Sequence, residues 1–435
     1  MRHVAVAGRL KLTRSSNGVV LFLIAILGAT VLLGSVGLDL LLLPHDPALG
    51  LDFAAFYAAG VALRQGHDPY NWAQLRTIEH HLRSISDPHR AMSFDSYANP
   101  PFFTALMAPV TALPVDVAYV SWVVVSILAL LAGLAVTAHT YGMERWRVLL
   151  LFVLTPVCAI CLFLGQQTPL LLLGLVLALY ALRRGWYVAA GIALSLGWIK
   201  PHLMLPLALV AMAMVRWPAA RRVLAGFLGA TVALVLLSLL ASGGEGLASW
   251  GDDLLHYGRT MDSLQPNISS LAGLYLSVIG RSWSGWLAGG CLGVWMLFAA
   301  LAIWRARRAC LEPGDDTWLH AFATVLVAWL LFIPYTHPPD LVLVVPALPL
   351  LLGRRLEGFS DPLARLALGA ILAAPEADLL GFRLNYVLSY SVLIPLTMLL
   401  ALRPWALMSR PLARERRMAL GEPVQARTEK DSVAF

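Results

Sequence analysis

Charged residues are scarce in this chain of 435 residues, in which they make up 13% while hydrophobic residues make up 59%. A soluble globular domain has about a quarter of its residues charged. The scarcity excludes an ordinary soluble protein, and the long apolar runs predict an all-α polytopic membrane protein. The net charge of +7 is spread over short loops, which is typical of membrane orientation and does not indicate nucleic-acid binding.

Cysteines and metal-binding motifs are also scarce. The four cysteines are Cys158, Cys161, Cys291 and Cys310, and they give no disulfide framework. We interpret the first two, on one face of an apolar helix, as packing residues. D-x-D, H-E-x-x-H and Walker patterns are absent. The sequence therefore predicts neither a metal site nor a cofactor.

Apolar segments separated by polar breaks predict about twelve transmembrane spans. They lie near 19–43, 117–138, 148–164, 168–182, 186–199, 201–215, 222–242, 285–304, 317–334, 341–352, 363–381 and 385–402. We expect one transmembrane catalytic domain over 1–402 and a basic, disordered cytoplasmic tail over 403–435. With a cytoplasmic N-terminus, most of the 32 lysines and arginines fall inside, as the positive-inside rule requires. The expected location is the inner (cytoplasmic) membrane, with both termini cytoplasmic.

Two long extracytoplasmic loops are expected, over 44–100 and 243–283. Asp52–Gln65 and Asn71–Ser84 each place apolar side chains on one face, and so predict short helices in the first loop. We interpret the later one as an interfacial helix on the outer leaflet. Pro101–Leu113 is apolar but too short to cross, which predicts a half-buried or re-entrant helix.

One lysine stands in the middle of an apolar run. Lys200 precedes Pro201 and His202, and the flanking segments Trp186–Ile199 and Leu203–Arg216 have only 14 residues each. A full crossing needs about 20 residues, and a charge at bilayer depth costs about 2.5–3.5 kcal/mol. We infer that Lys200 lines a pocket sunk into the membrane. The alternative is a side chain that snorkels to the interface.

Other polar groups fall on the same extracytoplasmic side, between segments too short to cross. Irregular backbone at that depth is tolerated where it lines a wet cavity, so we expect one cavity open to the outer face. Each group also has a structural alternative, such as capping a helix or satisfying backbone groups at a turn. The groups include Asp52, Gln166, Gln167, Thr168, Lys200, His202, Asn267, Tyr335, His337 and Asp340.

Six short motifs follow one another in order between Asp52 and Pro346. In the first loop they are Asp52-Phe53-x-x-x-Tyr57-x-x-Gly60, Gly66-x-x-x-Tyr70 and Tyr97-x-Asn99-Pro100-Pro101-Phe102. Further along they are Gly165-Gln166, Lys200-Pro201 and Tyr335-x-His337-x-x-Asp340. This ordered set resembles glycosyltransferase family 87, a family of C-type, multi-span glycosyltransferases.

The resemblance implies a transferase that uses a polyprenyl-phosphate-linked sugar donor, typically an α-mannosyltransferase of the cell envelope. The donor and a lipid or glycan acceptor would meet at the outer face of the cytoplasmic membrane. No nucleic-acid partner is expected. The sequence leaves both the sugar and the acceptor open, with mannose favoured by the resemblance.

The expected mechanism assigns a role to each group of residues. Asp52 is the expected general base, because it lies at the membrane–water boundary where donor and acceptor can meet. Lys200, His202 and His337 are expected to bind the donor phosphate and stabilise its developing charge. In-line attack would invert the anomeric carbon. The expected sugar or acceptor contacts are Tyr57, Gln166, Asn267, Tyr335 and Asp340.

A secondary transporter of an anionic or lipid-linked solute is the competing interpretation. Transporters also use broken helices and buried ionisable groups. The structured first loop, the breaks that all open to one side and the lack of a detectable inverted repeat favour the transferase.

Overall fold

A computed structural model describes residues 51–84, 97–144, 147–260, 269–271, 284–333, 335–353, 357–383 and 389–403. Over these residues the chain is predominantly helical and contains no strand, which confirms the predicted all-α class. The expected first span at 19–43 and the expected tail beyond Arg403 lie outside the described residues.

The described α-helices are numbered here in chain order. They are α1 Leu51–Arg64, α2 Trp72–Ser84, α3 Pro101–Met107, α4 Val115–Tyr141, α5 Arg147–Leu150, α6 Pro156–Leu164, α7 Thr168–Arg183, α8 Tyr187–Ser195, α9 Pro201–Met214, α10 Trp217–Thr260, α11 Ser284–Arg308, α12 Asp316–Phe332, α13 Leu348–Leu352, α14 Pro362–Arg383 and α15 Leu393–Leu402. Segments of 3-10 helix lie at Ala108–Ala112, Leu151–Leu154, Leu196–Ile199, Pro338–Ala347, Glu357–Ser360 and Tyr390–Val392.

Three of the described helices are long and apolar enough to cross a membrane: Val115–Tyr141, Trp217–Leu255 and Trp286–Arg308. The pair α6 and α7 passes the same test together, but is bent by 120° at the break between them. The remaining apolar helices are shorter, at 10–17 residues. An all-α membrane protein is thus supported, whereas the predicted number of twelve spans is not confirmed.

Proline sets the start of several of these helices. Pro101, Pro156, Pro201 and Pro362 each occupy the first helical position, where the missing N–H has no helical partner to lose and the fixed φ suits the helix. The residue before a proline is disfavoured in the helical region, so Pro156, Pro201 and Pro362 also end the 3-10 segments that precede them. The positions of these prolines in the sequence therefore determine where the helices begin.

Two segments differ from expectation. The loop expected from Gly243 is helical as far as Thr260, with a kink at Gly243, whose φ of 70° and ψ of −176° suit a residue without a Cβ. The span expected over 148–164 is interrupted, because a 3-10 segment ends at Leu154 and Pro156 begins a new helix.

Aromatic side chains join the first loop to the break between α6 and α7. The Phe53 ring centroid lies 5.5 Å from that of Tyr119 and 6.4 Å from that of Trp122. The Trp122 indole N–H donates to the carbonyl of Gly165 at 2.7 Å. A Cβ on Gly165 would lie 2.6 Å from the Cβ of Phe53, so the first turn of α1 packs directly on this break. Asp52, next to Phe53, is thereby placed beside it.

Candidate functional site

The centre of the site is an ion pair between Lys200 and Asp340. The Lys200 Nζ lies 2.7 Å from the Asp340 Oδ1, and the two side chains are 12% and 1% exposed. Lys200 joins the 3-10 segment Leu196–Ile199 to α9 and is not helical, with φ −131° and ψ 80°. Because Pro201 restricts the conformation of the residue before it, this break follows from the sequence.

Asp340 accepts hydrogen bonds from three parts of the chain. Besides the Lys200 ammonium, the Thr168 hydroxyl donates to Oδ1 at 3.2 Å and the His337 backbone N–H donates to Oδ2 at 3.1 Å. The residue is completely buried. With both oxygens engaged inside the protein, Asp340 is better placed to hold Lys200 than to make the expected contact with the sugar or the acceptor.

The break between α6 and α7 carries two glutamines. Gln167 is 2% exposed, and its Nε2 donates to the Asn99 Oδ1 at 2.8 Å. The Oε1 atoms of Gln166 and Gln167 are buried and, within the described residues, have no hydrogen-bond partner. Leaving a buried acceptor unsatisfied costs about 1–3 kcal/mol. These two oxygens are therefore candidates to accept hydroxyl groups of a ligand or of water.

Asn99 connects this break to the first loop. Its carbonyl accepts a hydrogen bond from the Tyr70 hydroxyl at 2.8 Å. Burial raises the pKa of Tyr70, so the phenol keeps its proton and acts as the donor. The pairing of Asn99 with Gln167 could not be read from the sequence, because the two residues are 68 positions apart.

Asp52 lies half-buried in the first turn of α1. The helix dipole favours a carboxylate at that position, which is the structural alternative to a catalytic role. The thiol of Cys161, in α6, interacts electrostatically with Asp52, Lys200 and Asp340 together. The structure thus brings the expected base and the ion pair around the same stretch of α6.

Both predicted phosphate-binding histidines lie around the ion pair. His202, in the first turn of α9, is exposed and interacts electrostatically with Lys200, Asp340 and His337. His337 is half-buried at the start of the 3-10 segment Pro338–Ala347. Lys200, His202 and His337, expected on chemical grounds to act together, are therefore neighbours in the folded chain.

The other residues expected to contact the sugar or the acceptor differ in their surroundings. Tyr57 is buried, and its hydroxyl donates to the Leu113 carbonyl at 2.8 Å, so its polar atom is used within the protein. Tyr335 is half-buried and lies two residues before His337. Asn267 lies outside the described residues.

The rarity of lysine is a sequence signal that the expectations above did not use. Lys11, Lys200 and Lys430 are the lysines among the 32 basic residues, and the rest are arginines. An ammonium is a compact point charge that titrates and coordinates differently from guanidinium. Lys200 therefore stands out as the lysine that lies within the apolar part of the chain. Nothing in the sequence indicates that Asp340 links it to Thr168.

Comparison with protein families identifies a match. The model of a family described as glycosyltransferase family 87 matches residues 97–334, which is more than half of the chain. The match includes Gln166, Lys200 and His202, whereas Asp52 and Asp340 lie outside it. No curated protein and no solved structure matches the chain at a significant level.

Proposed function

The chain belongs to glycosyltransferase family 87, and from this premise we propose that it moves a hexose, with mannose favoured, from a polyprenyl-phosphate sugar to an extracytoplasmic acceptor. Membership of the family makes the protein a membrane glycosyltransferase. The donor, the sugar and the inverting mechanism are our proposal. The observation that carries it is the grouping of Lys200, His202 and His337 around the Asp340 carboxylate, with Asp52 in the first turn of α1 next to the break between α6 and α7.

The proposed donor site consists of Lys200, His202 and His337. Cleavage of the bond between the sugar C1 and the phosphate oxygen leaves an additional negative charge on the lipid phosphate. An ammonium held in a poorly hydrated site stabilises that charge strongly, because little water screens it. Asp340 engages one of the three N–H groups of the Lys200 ammonium, and the 12% exposed side chain can direct another toward the donor.

Asp52 is the proposed general base. Asp340 lies 2.7 Å from the Lys200 Nζ, and the charges of Asp52, Asp340 and Lys200 all act on the thiol of Cys161. Asp340 is buried and engaged by three donors, so accepting a proton would break its ion pair. Asp52 is half-buried in the first turn of α1, beside the break that carries Gln166. In the proposed step, the acceptor hydroxyl oxygen attacks C1 in line, its proton passes to Asp52, and the C1–O electrons leave on the phosphate.

The proposed sugar contacts begin with Gln166. Its buried Oε1 has no partner in the described part of the chain, and a sugar hydroxyl would supply the missing donor. Asn267 and Tyr335 remain proposed contacts. Tyr57 and Asp340 are engaged inside the protein, and we now assign them to the support of the site.

The proposed orientation places this site at the outer face of the inner membrane, with both termini in the cytoplasm. It is supported by the distribution of arginine in the short breaks between apolar segments, as in Arg183-Arg184 and in Arg305, Arg307 and Arg308 at the end of α11. A lipid-linked donor would then enter the site from the outer leaflet.

The test is the substitution Asp52→Asn in the purified protein, incubated in detergent with radiolabelled polyprenyl-phosphate mannose and a membrane lipid extract as acceptor. Turnover should fall by about 10²–10⁴-fold, the usual contribution of general base catalysis. Detergent solution removes the compartments that transport requires, so sugar transfer by the wild type would exclude the transporter interpretation.

The matched control is Asp316→Asn, which removes a carboxylate from the first turn of α12, where it is exposed. This variant should keep wild-type turnover, since it changes the same helix-end interaction away from the site. Wild-type turnover in Asp52→Asn would show that Asp52 serves only the helix end.

A further inference from the structure

Three separate chain breaks meet at the buried Asp340 carboxylate. Thr168 begins α7, Lys200 precedes α9, and Asp340 itself lies in the first turn of the 3-10 segment Pro338–Ala347. Thr168 and Asp340 are both completely buried. The Thr168 hydroxyl and the Lys200 ammonium donate to the same oxygen, Oδ1, at 3.2 Å and 2.7 Å.

The other carboxylate oxygen is held by backbone. The His337 N–H donates to Oδ2 at 3.1 Å, and the Asp340 N–H donates to the His337 carbonyl at 2.9 Å. This reciprocal pair fixes the turn that carries Asp340. Because the turn holds Oδ2, the position of Oδ1 depends on how the carboxylate plane is rotated. The Thr168 hydroxyl donates to Oδ1 and so helps to orient that plane.

We propose that Thr168 and Asp340 are positioning residues for Lys200: together they fix the direction in which its ammonium faces the donor phosphate. Neither needs to touch the substrate for this role. The effect of this positioning on catalysis rests on the proposed function of Lys200 in donor binding. The positioning of Lys200 itself does not depend on that function.

The physical basis is the flexibility of lysine. A lysine side chain has four rotatable bonds and loses about 2 kcal/mol of rotamer entropy when it is held in one geometry. A charged hydrogen bond in a buried site is short and strong enough to hold it. Preorganised charge is more effective in catalysis than charge that must reorient during the reaction. Removing the Thr168 hydroxyl should therefore loosen Lys200 without removing its charge.

Lysine NMR tests the positioning without any substrate. Protein labelled with 13C at lysine Cε gives signals from Lys11, Lys200 and Lys430, and Lys200→Arg identifies the Lys200 signal by its loss. In the wild type the Lys200 signal should be shifted from the position of free lysine. In Thr168→Val, which keeps the shape of the side chain but removes the hydroxyl, it should move toward the free position.

Two further variants make this measurement specific. Thr168→Ser restores a hydroxyl and should restore the wild-type signal. Thr137→Val makes the same change at another buried threonine, whose hydroxyl donates to the Gly133 carbonyl in α4, and should leave the signal unchanged. A wild-type Lys200 signal at the free position would overturn the proposal even if Thr168→Val did not fold, and so would an unchanged signal in folded Thr168→Val.

Donor binding tests the consequence. A phosphonate analogue of polyprenyl-phosphate mannose should bind Thr168→Val about tenfold more weakly, as expected for loss of a hydrogen bond to a charged group. Thr168→Ser and Thr137→Val should bind it like the wild type. If Thr168→Val frees the Lys200 signal but leaves analogue binding unchanged, the positioning role stands and the proposed donor-binding role of Lys200 fails.

Discussion

Two ion pairs in this molecule have the same length and different surroundings. Lys200–Asp340 and Arg403–Asp361 each place nitrogen 2.7 Å from oxygen. The first pair has side chains 12% and 1% exposed, and the second has side chains 50% and 26% exposed. Because the distances are equal, we expect any difference in what the two pairs contribute to come from their surroundings.

The neighbours of each pair explain the difference. Asp340 is also held by Thr168 and by the His337 N–H, whereas Asp361 also accepts the Leu363 N–H at the start of α14. In the exposed pair, water can replace a lost partner, and such pairs contribute about 0–1 kcal/mol. In the buried pair, loss of one partner leaves an uncompensated charge. Burial makes Lys200–Asp340 a fixed part of the site.

The largest effect is expected for Lys200→Met. The substitution leaves Asp340 buried without its cation, which should lower the free energy of unfolding by about 3–5 kcal/mol. Glycosyl transfer should also be lost. Denaturant unfolding of the purified protein in detergent measures the first effect, and transfer of radiolabelled mannose measures the second. A stable variant with wild-type turnover would show that Lys200 reaches bulk water.

The double substitution Lys200→Met with Asp340→Leu separates stability from activity. Replacing a buried ion pair by apolar side chains is often neutral or stabilising, so most of the lost stability should return. A deficit of about 1–3 kcal/mol should remain, because the Thr168 hydroxyl and the His337 N–H lose their acceptor. Activity should stay absent. Recovery of transfer in this variant would contradict the proposed role of the Lys200 charge.

The helices could be predicted from the sequence more closely than their partners. α7 occupies Thr168–Arg183 where 168–182 was expected, and α14 occupies Pro362–Arg383 where 363–381 was expected. Each apolar run is bounded by prolines, glycines or arginines, and these local signals determine where a helix begins and ends. They do not determine how many of these helices cross a membrane.

The helix beyond Gly243 shows where local signals fail. Its polar composition favours a loop, but the segment is held by contacts with the first loop. Ser249 donates to the Asp68 carboxylate at 3.2 Å, and the Trp250 indole donates to the Ala98 carbonyl at 3.0 Å. Partners more than 150 positions away in the sequence stabilise this helix, and no local pattern indicates them.

The candidate site was predictable to the same degree. The breaks that carry Gln166, Lys200 and His337 follow from short apolar runs and prolines, and Lys200, His202 and His337, which were expected to act together, are neighbours in the structure. The sequence could not show that Asp340 pairs with Lys200, 140 positions away. Which polar residue touches the ligand and which one supports it depends on these long-range contacts.

A smaller effect is expected where a buried contact is neutral. Gln167→Leu removes the hydrogen bond to Asn99 and leaves its Oδ1 unsatisfied, which should cost about 1–3 kcal/mol of stability. Because the variant also removes the unsatisfied Oε1 of Gln167, the net loss should lie toward the lower end of this range. The loss should stay below that of Lys200→Met, because no net charge is stranded. Gln65→Leu, at an exposed position, is the matched control and should be neutral within about 0.5 kcal/mol. A loss as large as that of Lys200→Met would show that charge is not what distinguishes the buried pair.

The smallest effect is expected for Arg403→Met at the exposed pair. Arg403 has a φ of 50°, and methionine at this position keeps the same backbone strain, so the substitution changes only the charge and its contact. The free energy of unfolding should change by less than about 1 kcal/mol, and by less again in 1 M salt, where the Debye length is about 3 Å. Transfer activity should equal that of the wild type. A loss of several kcal/mol that persists in high salt would mean that this pair is shielded from water in the membrane-embedded protein, and the contrast with Lys200–Asp340 would then disappear.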